Sequence, residues 1–251
     1  MDEGRATTGA DTGTPTPRSR RERPAKPALT RAGIVGAAMR IMREEGLRKV
    51  TMRRLAKELD TGPASLYVYV SNTAELHSAI LDELLGELEP PAGDGPWDER
   101  LIGLLGSYTT LLFAHPSLAG FALVSRPSGP HSLALLEQLL ALLDEGGVPP
   151  AQAAWGVDVL LQQATAVAAE QSARDQDIDA HDDWNAMTRA VREAPAATHP
   201  HVHALGSTLH SGAPHERLTW NFRTLINGIL HTPTPESPIR APGPGTGPRD
   251  H

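Results

Sequence analysis

Residues 51–70 constrain the fold more than any other stretch, because they predict two short helices separated by a three-residue turn. Thr51 suits the N-cap of the first helix, whose apolar residues recur at i, i+3, i+4 and i+7. This stripe consists of Met52, Leu55, Ala56 and Leu59. Residues 60–62 (Asp-Thr-Gly) favour a turn, and Pro63 suits the first position of a second helix. The chain is therefore expected to bend sharply between two helices.

The second helix, predicted over residues 63–70, has a narrow apolar side and a polar, bulky outer surface. Leu66 and Val70 fall four residues apart and can point inward. The remaining faces carry Ser65, Tyr67, Val68 and Tyr69. Arg53 and Arg54 lie beside them on the first helix. This layout is typical of a helix-turn-helix, whose second helix enters the DNA major groove. Two short helices around a glycine turn also occur in α proteins that bind no DNA.

From about Leu29 to Leu88 the chain resembles the N-terminal domain of the tetracycline-repressor (TetR) family of transcriptional regulators. Matching segments occur in the right order: Leu29-Thr30-Arg31, Ile34, Ala37-Ala38, Glu45-Gly46-Leu47, Val50 to Ala56, Ala64 to Val70, Asn72 and Glu75-Leu76. The Leu-Tyr-x-x-Val segment after a Leu-Ala-x-x-Leu helix carries most of the likeness. The resemblance implies an all-α fold. A three- or four-helix DNA-binding domain at residues 28–89 would be followed by a helical ligand-binding and dimerisation domain at residues 96–231.

The matching positions imply a set of DNA-contacting residues: Thr51, Arg53, Arg54, Pro63, Ala64, Ser65, Tyr67, Val68 and Tyr69. Arg53 matches a family position that reaches a base edge, where an arginine can bond guanine O6 and N7. The serine and the two tyrosines match positions that contact phosphates and bases. Pro63 and Ala64 are expected at the edge of the groove. An alternative for Tyr67 is that it packs between the first and fourth helices.

Two residues depart from the family pattern. Asp60 stands where the family usually has Gly in the turn, and Asp tolerates turn geometry. Thr73 stands where a phosphate-binding Lys is common, which removes one charge contact per subunit. We expect weaker DNA affinity unless the basic N-terminal arm compensates.

Positive charge is concentrated around the predicted helix-turn-helix, although the whole chain carries −7. Residues 18–59 contain thirteen Lys/Arg and four Asp/Glu, whereas residues 60–251 contain nine and twenty-three. This split favours one face for an anionic polymer. Residues 1–27 have almost no large apolar side chains, so we expect a disordered basic arm. The arm either reaches the DNA minor groove or phosphates, or is only a solvated tail.

Composition excludes several classes of protein. The chain has no cysteine, which excludes disulfides and thiolate metal sites. No run of eighteen apolar residues occurs and the polar start does not resemble a signal peptide, so we expect a soluble, cytoplasmic protein with no membrane partner. The Pro- and Gly-rich residues 90–96 predict a domain boundary, and those at 232–251 predict a disordered tail.

Beyond this boundary every predicted element is a helix. The predicted helices span residues 97–115, 117–124, 133–143, 151–173, 179–192 and 216–230; the helix at 179–192 is weakly amphipathic and residues 199–214 form a loop. Helices 151–173 and 216–230 carry apolar or small residues around most of their circumference, so we expect burial against a second copy. The resemblance implies the same homodimer, in which two recognition helices read a palindromic operator.

The resemblance also implies a small, often hydrophobic effector inside the C-terminal domain, whose binding releases the operator. Its candidate contacts are aromatic or amide groups on apolar helices: Tyr108, Phe113, Trp155, Gln162, Gln163 and Trp220. Ordinary core packing explains Phe113 and Trp220 equally well. No other cofactor is expected.

The chief alternative is a helical metal-binding protein or enzyme that uses His199, His201 and His203, with His181-Asp182-Asp183 as a second cluster. Both lie in loop-like, Ala- and Pro-rich surroundings that do not fix ligand geometry. No nucleophile elbow, phosphate loop or dinucleotide fingerprint occurs. A helical adaptor that binds only protein is disfavoured by the charge split. The sequence therefore predicts a ligand-responsive, DNA-binding repressor rather than an enzyme.

Overall fold

The computed structural model describes residues 28–90, 93–176 and 180–235, with only the backbone described at residues 180 and 181. Within these ranges the chain forms eleven α-helices and no strand, which confirms the all-α prediction. The helices are α1 (Arg31–Glu45), α2 (Met52–Glu58), α3 (Pro63–Leu66), α4 (Thr73–Leu85), α5 (Trp97–Ala114), α6 (Pro116–Ala122), α7 (Pro130–Glu145), α8 (Pro150–Gln176), α9 (Ala180–Arg192), α10 (Pro200–Leu209) and α11 (Pro214–His231). The predicted arm at residues 1–27 and the tail beyond residue 235 lie outside the described residues.

Local sequence explains where α1 begins and ends. The Thr30 Oγ1 accepts a hydrogen bond from the Gly33 backbone N at 3.0 Å and so caps the helix. The apolar residues along one side of the helix are buried: Ile34, Ala38, Ile41 and Met42. Gly46 ends the helix with a φ of 86°, a backbone conformation that is strained in residues with a side chain. Leu47 and Val50, between α1 and α2, are also buried.

The predicted helix-turn-helix forms, with α2 and α3 on the two sides of the turn. The Thr51 Oγ1 accepts a hydrogen bond from the Arg54 backbone N at 3.2 Å, which is the predicted N-cap of α2. Asp60 adopts a φ of 48°, as expected of a residue that tolerates turn geometry. Leu66 and Val70 are fully buried, so they anchor the second helix to the core.

α3 is shorter than the predicted helix. Regular helix covers Pro63–Leu66 and is followed by turns. In these turns the backbone N atoms of Tyr69 and Val70 both donate hydrogen bonds to the Leu66 carbonyl, at 2.9 and 3.0 Å. The β-branched Val68 and Val70 lower the helix preference at this end. The shortening leaves the inward positions of the two anchoring residues unchanged.

α4 connects the two halves of the chain. Asn72 Oδ1 accepts from the Glu75 backbone N at 2.8 Å, and Glu75 Oε2 accepts from the Ser71 backbone N at 2.7 Å. These two bonds form a capping box, with its return bond one residue before the N-cap. The helix ends at Leu85. It packs against α1 on one side and against α6 and α7 on the other.

α8 lies at the centre of the C-terminal half and packs against α5, α6, α7 and α11. This core contains leucines of α5 and small residues of α8: Leu101, Leu104, Leu105, Ala164 and Ala168. Phe222 of α11 is also fully buried. The hydroxyl groups of Tyr108 and Thr165 lie 2.9 Å apart and bond α5 to α8. The predicted helices in this region agree with α5 to α8 and α11, with small shifts at their ends.

Two predictions for the region after α8 are wrong. The segment predicted as a loop contains α10, because Pro200 stands at its first position, where proline loses no helical hydrogen bond. α9 is strongly rather than weakly amphipathic, since Trp184, Met187 and Val191 lie at i, i+3 and i+7 along one face. α9 and α10 pack against each other, and the Trp184 ring meets the His210 ring edge-on at 4.9 Å.

Among the described residues, no single helix combines the length and the apolar character needed to cross a membrane. The bent pair of α5 and α6, with an angle of 118° between them, meets these two criteria on length and composition alone.

Replacing Phe222 with alanine is expected to lower the free energy of unfolding by about 3–5 kcal/mol, because the ring is fully buried between helices. Urea unfolding monitored by circular dichroism measures this change. Phe113→Ala is the matched control, since the Phe113 side chain is 38% exposed. Equal losses in the two variants would contradict the observed packing of α11.

Candidate DNA interface and effector cavity

The predicted DNA-contacting residues of α3 and the following turn form one exposed surface. We define the α2–α3 surface as Thr51, Arg53, Pro63, Ala64, Ser65, Tyr67, Val68 and Tyr69, all of which are exposed. Tyr67 is 51% exposed and Val68 79% exposed, which is unusual for such large side chains. The exposure of Tyr67 contradicts the alternative in which it packs between α1 and α4. Buried Leu66 and Val70 hold this surface against the core.

The two neighbouring arginines of α2 have different surroundings. The Arg53 side chain is exposed, and its guanidinium forms no hydrogen bond or ion pair with any other residue of the described ranges. Arg54 donates from Nε and Nη2 to Glu45 Oε1, at 3.1 and 2.6 Å, and from Nη1 to Glu58 Oε2 at 2.9 Å. Its guanidinium therefore joins the end of α1 to α2. Three of the five N–H donors of Arg54 are thus used within the chain, and its contact with DNA stays a prediction.

The charges around Arg54 reinforce this connection. The hydrogen bonds from Arg54 hold the pKa of Glu45 below its usual value, and the charges of Arg54, Lys49 and Lys57 act in the same direction. The hydrogen bonds to Glu45 and Glu58 raise the pKa of Arg54. Both groups are therefore charged at neutral pH, and the cluster stays partly accessible to solvent.

A cavity of about 240 Å³ lies between the helices of the C-terminal half. Helices α4 to α8 and the segment after α6 all contribute to its wall: Leu85, Tyr108, Ala122, Leu123, Val124, Ser125, Arg126, Pro127, Ser132, Leu135, Leu136, Leu161, Gln162 and Thr165. Most of this wall is apolar, with a few hydroxyl groups, one amide and one guanidinium. Such a mixture suits a largely apolar small molecule that carries a few polar groups.

Only two of the six residues predicted to contact an effector line the cavity. Tyr108 and Gln162 line it, and burial raises the pKa of the Tyr108 hydroxyl despite its bond to Thr165. Phe113 and Gln163 do not line the cavity, although both lie on the helices that enclose it. A helix places residues one position apart on different faces, so adjacent amides such as Gln162 and Gln163 cannot both face inward.

Trp155 and Trp220 also lie away from this cavity, and each lines a different groove. Trp155 of α8 is 57% exposed and Trp220 of α11 is 67% exposed. Trp155, Val159 and Leu225 lie along an open groove between these two helices. α8 and α11 pack closely here, because Gly156 leaves room for the Ile229 side chain. The result is an exposed apolar face on α8 and α11.

Sequence reasoning did not identify three polar residues at or beside the cavity: Asp82, Arg126 and Ser132. Arg126 forms an ion pair with Asp158 at 2.5 Å and belongs to a segment predicted as a plain loop. Asp82 is buried on the otherwise apolar inner side of α4 and bonds to Ser132. An acidic residue inside an apolar helix stripe was the available signal for Asp82. Loop residues such as Arg126 carry no periodic signal of this kind.

The histidines proposed as an alternative metal site do not converge. His199 Nδ1 lies 2.9 Å from Thr198 Oγ1, and His203 Nδ1 lies 3.0 Å from the Ala194 carbonyl. In the ranges that the structure describes, no three His, Asp or Glu side chains are placed to share a metal ion.

The Glu45–Arg54 pair predicts a specific change in acid stability. Because the folded-state pKa of Glu45 is lowered, the contribution of the pair is present above the unfolded value of 4.5 and is lost as the pH falls through the folded-state value. Arg54→Ala is therefore expected to reduce stability at pH 7 and to flatten its acid dependence below pH 4.5. Urea unfolding across this pH range measures the effect. Arg53→Ala serves as the control, and an identical acid profile for the two variants would contradict the assignment.

Comparison with known proteins agrees with this arrangement. Residues 34–80 match the family described as "Bacterial regulatory proteins, tetR family", and residues 89–232 match "Tetracyclin repressor-like, C-terminal domain". An HTH-type transcriptional regulator of Saccharopolyspora erythraea is 34% identical over 154 residues, which is 61% of this chain and 65% of that protein. The chain thus spans slightly less than two thirds of this curated relative.

Solved structures extend the likeness over most of the chain. A transcription regulator of Streptomyces coelicolor is 55% identical, covers 84% of this chain and all of its own, and superposes with a TM-score of 0.71. ActR of Streptomyces coelicolor, in complex with actinorhodin, is 34% identical over 80% of this chain and 95% of its own, with a TM-score of 0.70. The matched families are regulators rather than enzymes, so the metal-enzyme alternative has no support. Since the two family matches together cover most of the described residues, the chain belongs to the TetR family of bacterial transcriptional regulators.

Proposed function

We propose that the protein is a homodimeric transcriptional repressor that binds a palindromic DNA operator through the α2–α3 surface. A small molecule in the cavity of about 240 Å³ would release it from the operator. The observation that carries this proposal is the exposed row of aromatic, hydroxyl and arginine side chains on α2 and α3, held in place by two buried residues. Membership of a family of DNA-binding regulators supports the same conclusion.

In the proposed complex the residues of the α2–α3 surface have distinct roles. Arg53 is free to bond guanine in the major groove. Ser65, Tyr67 and Tyr69 donate to phosphates or bases, while the exposed apolar Val68 suits a thymine methyl group. Pro63 and Ala64 line the groove edge, and Thr51 positions α2 through its N-cap bond. Arg54 holds α2 against α1, so it orients the surface.

The exposed apolar residues of α8 and α11 support the proposed dimer. Trp155 and Val159 are exposed along the groove between α8 and α11, and Trp220 is exposed elsewhere on α11. Such large apolar side chains are costly to leave in water. A two-fold axis would pack α8 and α11 of one protomer against those of its partner and bury these side chains. Two recognition helices about one DNA turn apart would then match a palindromic operator.

The effector is proposed to be a largely apolar molecule with hydrogen-bonding groups. The cavity wall is mainly aliphatic, and its polar groups include Tyr108, Gln162 and Arg126. The similar protein ActR has been solved in complex with actinorhodin, which supports a small-molecule effector for this chain. Binding would favour a conformation with wrongly spaced recognition helices, with a coupling free energy of roughly 1–3 kcal/mol.

Fluorescence anisotropy with the intergenic DNA that flanks the gene of this protein, titrated from low to high salt, tests DNA binding. Tight, salt-sensitive binding that resists random competitor DNA is expected. Arg53→Ala should weaken specific binding by about 1–3 kcal/mol, because it removes a base contact. Tyr67→Phe should also weaken binding without changing thermal stability, since its hydroxyl is exposed.

Arg189→Ala is the matched control, because Arg189 is an exposed arginine on α9, far along the chain from the α2–α3 surface. It should bind DNA as the unmodified protein does. No preference over random DNA, followed by failure of a genome-wide selection to enrich any site, would count against the proposed repressor.

Sedimentation analysis tests the dimer. Trp155→Glu should convert the protein from dimer to monomer at micromolar concentration, because a charge would be buried in the proposed interface. Leu133→Glu is the control, since Leu133 is similarly exposed on α7. A monomeric unmodified protein, or an unchanged dimer in Trp155→Glu, would contradict the proposed interface.

A further inference from the structure

We infer that the bond between Asp82 and Ser132 is the link through which occupancy of the cavity reaches the DNA-binding helices. This inference rests on the proposed function, because it assumes that a molecule enters the cavity. Asp82 lies on α4 and Ser132 lies in the first turn of α7. Asp82 is a positioning residue in this account and does not contact DNA.

The bond between Asp82 and α7 is short and buried. Asp82 is 6% exposed, and its Oδ1 accepts hydrogen bonds from the backbone N and the Oγ of Ser132, at 2.8 and 2.6 Å. Its Oδ2 accepts from the His131 backbone N at 3.4 Å. α7 has no capping side chain of its own, because Gly129 occupies its N-cap position. The carboxylate of α4 therefore caps α7 and satisfies its first backbone donors.

Two glycines allow α4 and α7 to approach closely at this point. A Cβ atom on Gly129 would lie 2.1 Å from Asp82 Oδ2, which no real structure tolerates. A Cβ atom on Gly86, at the end of α4, would lie 2.7 Å from the His131 ring. The two helices therefore pack closely at both glycines, and a small displacement of either helix would break the bonds between Asp82 and α7.

The same contact forms part of the cavity wall. Ser132 and Leu85 both line the cavity, and so does Ser125, whose Oγ lies 3.2 Å from Ser78 Oγ of α4. Ser78, Asp82 and Leu85 stand at i, i+4 and i+7, which places them on one face of α4. This face therefore meets the cavity wall along more than one turn of the helix.

Displacement of the wall would consequently move α4. An occupant that pushes on Ser132 or competes for its hydroxyl would pull on Asp82, because leaving a buried carboxylate without its donors is costly. α4 follows directly after the recognition segment and packs against α1, so its displacement would tilt the α2–α3 surface. Ligand binding and DNA binding would thus compete through one buried bond.

Pulsed electron paramagnetic resonance measures this coupling without DNA or effector. The chain has no cysteine, so spin labels attach only at introduced positions, here Val68→Cys on the α2–α3 surface and Glu137→Cys on α7. Dilution with unlabelled protein restricts the signal to distances within one protomer. Asp82→Ala and the milder Asp82→Asn should broaden or shift the distance distribution. Glu83→Gln, which changes the adjacent exposed carboxylate, should leave it unchanged.

A cavity-filling substitution, Ala122→Phe, serves as a permanent stand-in for an occupant. In the labelled protein it should shift the same distance, and adding it to Asp82→Ala should cause no further shift. On DNA, each single variant should lower affinity on the order of tenfold, with the double variant no worse than either.

Additive shifts, or an unchanged distance in Asp82→Ala and Asp82→Asn, would overturn the link. If Asp82→Ala does not fold, Asp82→Asn and Ser132→Ala provide the same comparison. Failure of the unmodified protein to bind DNA would instead contradict the proposed function, because the distance measurement does not depend on DNA. The two failures are therefore distinguishable.

Discussion

The rest of the structure depends on the burial of α4 on two sides. One side of this helix packs against α1 and completes the small N-terminal core, and another packs against α6 and α7 of the C-terminal half. Leu76, Ile80, Leu81 and Leu84 are almost entirely buried as a result. A helix held on both sides transmits a displacement from one side to the other, because packed cores deform little. The orientation of the α2–α3 surface is thus tied to the helices that enclose the cavity.

The two adjacent arginines of α2 have different electrostatic roles. Arg54 is held by Glu45 and Glu58, so its charge serves to fix α2 against α1. Arg53, one position away, points to a different face of the helix and keeps its donors free. The proposed DNA contact of Arg53 needs both properties, since a base contact is specific only when the helix that carries it is rigidly placed.

Local patterns predicted the N-terminal half well. The cap at Thr51, the turn at Asp60 and the buried pair Leu66 and Val70 all depend on neighbours within a few residues. The region after α8 was harder, because proline at a helix start and proline in a loop have the same local signature. Of the six predicted effector contacts, two line the cavity. Residue type alone did not distinguish Tyr108, which faces the cavity, from Trp155, which faces outward.

The sequence by itself determined the all-α architecture, the helix-turn-helix and the exposed residues of α3 and the turn that follows it. Helix periodicity and capping residues depend only on short stretches of chain. Only the tertiary structure decided which polar groups meet. Asp82 and Ser132 are 50 residues apart in sequence. Arg54 bonds to Glu45 across the bend between α1 and α2. Such contacts depend on how helices cross, and the side-chain pattern of one helix does not contain that information.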